Sequence, residues 1–131
     1  MEKQIAAVED FHQAYHVPVQ NSPKASISMD IIELRHRLMA EENQEYLDAA
    51  KDGDLVEVAD ALGDMMYILA GTMISHGMQN MIDAVFDEIH RSNMSKLGDE
   101  GQPLYREDGK VMKGPNYFKP DIQSNLSGRS D

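Results

Sequence analysis

Two acidic clusters lie close together in the chain: Glu41-Glu42-Asn43-Gln44-Glu45 and Glu57-Val58-Ala59-Asp60-Ala61-Leu62-Gly63-Asp64. On a helix, residues three or four apart share a face. Glu41, Glu42 and Glu45 then form one carboxylate patch, and Glu57, Asp60 and Asp64 a second. Like charges at this spacing weaken an isolated helix by about 0.2–0.5 kcal/mol per pair. Apolar neighbours such as Leu38, Leu62, Met65 and Met66 are interleaved with the acids, which argues against two simply solvated faces. A hard divalent cation between the patches reverses the sign of the repulsion. All-oxygen ligands and no cysteine suit Mg2+ or Mn2+.

The elements that must position these acids read as helices. Residues 2–16 carry Ile5, Val8, Phe11, His12 and Tyr15 at helical spacing. Pro18 ends that helix, and residues 17–27, with two prolines, read as a loop. A second helix starts near Ser28, with Ser28 or Asp30 as its cap, and runs to about Lys51. Its apolar face is Ile31, Ile32, Leu34, Leu38, Tyr46 and Leu47. Asp52-Gly53-Asp54 is a short turn, too short for anything but antiparallel neighbours. A third helix spans about 55–75, and its second half, MMYILAGTMI, is apolar nearly all round and should be central. A fourth spans about 79–95, with Met81, Ile82, Val85, Phe86 and Ile89 inward. No strand-like alternation of useful length occurs. We therefore expect an all-α chain, a four-to-five-helix bundle.

After Leu97 the composition changes. Residues 98–122 are rich in glycine and proline, REDGK reads as a tight turn, and the stretch holds Arg106, Lys110, Lys113 and Lys119. Irregular segments of this length are functional or disordered, and this one is a candidate lid. We expect one domain over 1–122 and a disordered end over 123–131. The net charge of −11 and pI near 4.7 argue against a nucleic-acid or anionic-membrane partner. The absence of cysteine fits a reducing compartment and excludes a thiolate zinc site. No apolar run is long enough to span a membrane, and the N-terminus lacks a signal-peptide pattern. These features predict a cytoplasmic protein.

Four segments in this order resemble a known family: FHQAYHVP, the EExxE motif followed by DALGDMMYILAG, VFDEIHRSNMSKL, and REDGKVMKGPNYFKPDI. They look like the all-α nucleotide pyrophosphohydrolases, which include MazG, the phosphoribosyl-ATP pyrophosphohydrolases and the dimeric dUTPases, and most of all a bacterial and phage MazG-like branch. The resemblance covers nearly all the chain to about Ile122. It implies a house-cleaning type of hydrolase that cleaves a nucleoside triphosphate between its α- and β-phosphates, leaving the monophosphate and pyrophosphate. It implies Glu42, Glu45 and Asp64 as metal ligands, and Glu41 as the residue that orients or deprotonates the attacking water or holds a further ion. Many relatives write the second motif ExxD, but in the frame set by Asp64 the glutamate position is Ala61. Asp60 is the neighbouring acid and is assigned as a ligand with Asp64. Glu57, in the other frame, is a second candidate, and the number of metal ions stays open.

A triphosphate carries about four negative charges, so an acidic protein must hold it through metals and a few placed cations. The resemblance gives Asn93 and Lys96, at i,i+3 on the last turn of the fourth helix, to phosphate or sugar. Arg91 and Lys96 also suit a negative helix end without any ligand. Lys110 and Lys113 are candidates to close over phosphate, and His12 is a candidate for the base or sugar pocket, although a lone histidine near a helix end is more often just a partly buried polar residue. Two other readings remain. A di-iron carboxylate bundle would use Glu33/His36 and Asp87/His90, although Glu33/His36 share a helix with Glu42/Glu45 and lie about two turns away. A non-catalytic helical dimer that binds nucleotide or a partner is the other. Four short helices with one so apolar member need further cover, so we expect a homodimer or homotetramer. The base is not specified by these residues.

Overall fold

The structure, a computed structural model, describes residues 1–127. It is all-helical, with five helices and no named strand among the described residues: α1 (Glu2–Ala14), α2 (Met29–Lys51), α3 (Leu55–Ser75), α4 (Ile82–Met94) and α5 (Ile122–Ser127). No helix among the described residues is long and apolar enough to cross a membrane. The chain divides into two compact units, Met1–Asn80 and Met81–Asp131.

In the first unit α3 packs against both α1 and α2. The α2–α3 turn forms because Gly53 adopts φ +68°, where a side chain would be strained. Asp54 then caps α3, its carboxylate accepting from the Glu57 amide at 3.2 Å. Small residues line the inner face of α3: Ala61, Ala70, Gly71 and Ser75 are buried with Ile74. The α1–α2 connection has no regular structure, yet it is tied to the end of α3. The Gln20 amide donates to the Ile74 carbonyl at 3.2 Å and the Lys24 amide to that of His76 at 2.9 Å. His76 Nδ1 donates to the Lys24 carbonyl at 2.8 Å, and Gln79 Nε2 to that of Gln20 at 2.7 Å. Gly77, at φ +71°, makes this approach possible, because a Cβ there would collide with the Ser22 carbonyl.

In the second unit the irregular tail is held against α4. Ser92 Oγ donates to the Phe118 carbonyl at 2.7 Å, and Ser95 Oγ accepts from the Phe118 amide at 3.1 Å. The Asp121 amide donates to Glu88 at 2.7 Å, and the Arg91 guanidinium, paired with Glu88 at 2.8 Å, lies 4.2 Å from the Phe118 ring centre. These bonds select the buried stripe of α4. It is Val85, Glu88 and Ser92, preceded by the buried N-cap Met81; Met81 and Val85 are inward as expected, while Phe86 and Ile89, also expected inward, are exposed. The REDGK turn is present: Tyr105 and Val111 form an antiparallel bridge, closed by the Arg106 amide on the Lys110 carbonyl at 2.8 Å.

The disordered end expected from residue 123 is corrected as far as Ser127, where α5 forms. Asp121 starts it, its carboxylate accepting from the Ser124 amide at 3.1 Å and the Ser124 hydroxyl at 2.7 Å. Residues 128–131 lie outside the described residues.

Candidate functional site

Glu42 and Glu45 come from one turn of α2, and Asp64 from the facing side of α3. The antiparallel turn at Gly53 brings them together, so that a carboxylate oxygen of each lies within 4.8 Å of the other two. Glu42 Oε2 is enclosed by protein and has no hydrogen-bond partner. A buried carboxylate oxygen left so is costly. Burial, then the adjacent Glu45 carboxylate, then the charges of Asp64 and Asp60, push the Glu42 carboxyl above the usual carboxylate range. The enclosed oxygen and the hard-oxygen donor set can take a small divalent cation.

The remaining expected residues are distributed as follows. Glu41 is exposed on α2, beside Glu42. Asp60 is exposed one turn before Asp64 and outside the close trio, though its charge reaches Glu42. Glu57 is also exposed, and it lines a groove of about 330 Å³ with Glu45, Asp48, Asp52 and Asp60. The trio contains no histidine. Glu33, His36, Asp87 and His90, the residues of the di-iron alternative, are all exposed.

The four candidate phosphate-binding residues belong to the second unit. Asn93 is exposed on α4. Lys96 is half-buried just beyond it, and its carbonyl accepts from the Gly114 amide at 2.9 Å. Lys110 is exposed in the REDGK turn, and Lys113 Nζ lies 4.7 Å from the Tyr117 ring centre. Arg91 is occupied by Glu88 and Phe118.

His12 requires a correction. It is 2% exposed and so lines no open base or sugar pocket. Its Nδ1 donates to the Pro18 carbonyl at 3.3 Å, while Nε2 points at Gly71 of α3. Burial lowers its pKa. The sequence reading also missed Arg35, which is buried in the same unit. Its signal was present: a cation in the apolar series Ile31, Leu34, Leu38, opposite a glycine inside an apolar helix.

The family model of phosphoribosyl-ATP pyrophosphohydrolase matches residues 8–93, a span that contains the whole trio. No protein of curated function matches the chain. Among solved structures it is similar to a candidate NTP pyrophosphohydrolase from Exiguobacterium sp. 255-15. That match has 28% identity and a TM-score of 0.50, over 96% of this chain and 95% of the other. With the family model spanning about two thirds of its length, the chain belongs to the phosphoribosyl-ATP pyrophosphohydrolase family, and its function is of the pyrophosphohydrolase type.

Proposed function

We propose that this protein hydrolyses a nucleoside triphosphate at its α–β phosphoanhydride, releasing the monophosphate and pyrophosphate, with Mg2+ or Mn2+ held by Glu42, Glu45 and Asp64. The observation that carries this reading is the trio itself: three carboxylates from two helices within 4.8 Å, with an enclosed oxygen that lacks a partner. A cation bound there supplies positive charge against polyphosphate and lowers the pKa of a coordinated water.

The chain's own residues do the rest. Glu41, exposed beside the trio, accepts the proton of the attacking water as its oxygen bonds to the α-phosphorus. The bridging oxygen leaves with pyrophosphate, and the proton passes to solvent. Asp60 adds negative charge close to Glu42 and strengthens cation binding from outside the trio. Asn93, Lys96, Lys110 and Lys113 are assigned to phosphate, since a protein of net charge −11 needs placed cations to hold a polyanion. A second copy covers the exposed apolar residues of α2 and α3, so the working form is a homodimer or homotetramer.

The test is a panel of nucleoside triphosphates with Mg2+ or Mn2+, scored for both phosphate products. Pyrophosphate and monophosphate should appear together, stop on chelation, and return when the cation is restored. Release of orthophosphate and a diphosphate instead would overturn the reading.

A further inference from the structure

Gly71 lies inside α3, where glycine is less favourable than alanine by about 1 kcal/mol. The space it leaves is filled by polar groups from the other two helices of its unit. A Cβ at Gly71 would sit 2.6 Å from Arg35 Nη2 and 3.0 Å from His12 Nε2. Through that notch the Arg35 guanidinium reaches α3 with two prongs. Nε donates to Thr72 Oγ1 at 3.2 Å, and Nη2 donates to the Ile68 carbonyl at 2.9 Å. The Thr72 hydroxyl donates to the same carbonyl at 2.8 Å. Arg35 is 7% exposed, and no carboxylate pairs with it among the described residues. A buried cation without a counter-charge is expensive, and stability alone does not explain it.

Its position does. Arg35, Glu42 and Ala49 recur every two turns on one face of α2, and Asp64, Ile68 and Thr72 follow one face of α3. The two helices are antiparallel, so the fork lies about 10 Å along the axis from the carboxylate trio, on the same seam. Toward the α2–α3 turn the inward residues are small, Ala49 of α2 and Ala61 of α3. Such smooth surfaces leave the axial position of one helix on the other weakly defined. A planar guanidinium bonded to a hydroxyl and a carbonyl on successive turns defines it.

We propose that Arg35 is a positioning residue: its fork fixes the register of α2 on α3 and so sets the spacing of Glu42 and Glu45 against Asp64. This rests on the cation-site reading above, but its test separates the two. The probe is Mn2+ binding by calorimetry. Beside it stands the distance distribution between spin labels at two exposed positions, Gln44→Cys on α2 and Ala59→Cys on α3, in a chain without native cysteine. Arg35→Met keeps side-chain length and removes the fork. It should retain helix content and melting temperature, weaken Mn2+ binding about tenfold or more, and broaden the distance distribution. Arg35→Lys, which keeps the charge but not the fork, should recover only part of the affinity.

A folded Arg35→Met variant with unchanged Mn2+ affinity and an unchanged distribution overturns the proposal. If Arg35→Met does not fold, Thr72→Val decides: weakened Mn2+ binding at constant helix content supports the proposal, and full affinity overturns it. If the unsubstituted protein binds no Mn2+, the cation reading fails, and the distance distribution alone decides the register role.

Discussion

Glu42 is the residue on which the site turns. It is the one member of the trio whose oxygen is both enclosed and unpartnered. Glu42→Gln, Glu45→Gln and Asp64→Asn should each lower turnover about a hundredfold or more, because cation charge supplies several kcal/mol of transition-state stabilisation. Asp60→Asn, outside the trio, should cost less than any of these. Steady-state pyrophosphate release measures all four. His12 makes a separate prediction. Burial, the largest effect, lowers its pKa, the Pro18 hydrogen bond opposes this, Arg35 adds to the lowering, and Glu9 opposes it. The unfolded imidazole therefore binds a proton at higher pH than the folded one. His12 contributes its full stability above about pH 6.5 and loses it as the pH falls through the lowered folded value. Melting temperature should decline below that pH, and His12→Gln should flatten the decline.

At the scale of elements, the tail is the informative case. Ser92→Ala removes the donor to the Phe118 carbonyl and should cost about 1 kcal/mol. Hydrogen exchange should quicken at the amides of Phe118 and Asp121, which bond to Ser95 at the C-cap of α4 and to Glu88 within it, before it quickens in α4 itself. What the sequence revealed follows the range of the forces involved. The bounds of α3 were legible because Asp54 and Gly53 act on their immediate neighbours. The nearness of the two acidic clusters was legible because a short turn leaves two helices only one way to meet, and the resemblance singled out Glu42, Glu45 and Asp64, which the structure brings within 4.8 Å. The inward face of α4 was legible only in part: Met81 and Val85 are buried as expected, but hydrophobic spacing also points to Phe86 and Ile89, which are exposed. The partners that bury Glu88 and Ser92 lie some thirty residues away in the tail. Arg35 was obscure for the same reason: a polar residue becomes a core residue only once another helix supplies its partners. Asp60 lies one turn from Asp64 and about 40° around α3, so it stands outside the close trio while its charge still reaches Glu42.

At the scale of the whole molecule, Leu55, Leu62, Met66 and Leu69 form one exposed stripe on α3, roughly opposite Asp64. Leu34, Tyr46 and Leu47 of α2 are exposed as well. Soluble monomers rarely leave so much large apolar surface uncovered. Sedimentation at micromolar concentration should give a mass of two or four times the 14.7 kDa chain, and Leu62→Asp should shift it toward the single chain. A monomer from the unsubstituted protein would remove the assembly from the proposal. Because the trio faces away from this stripe, Leu62→Asp separates assembly from cation binding: Mn2+ affinity should survive the loss of partner.

The segment from Val17 to Ile27 has several small polar residues and no helix, as in the exposed loops that proteases nick. Yet four hydrogen bonds lash it to the end of α3, and the absent side chain of Gly77 lets it lie flush. Cleavage needs a segment that can lift into an extended conformation inside the protease cleft. Here lifting would break those four bonds to residues 74–79, so the segment should resist cutting better than its composition suggests.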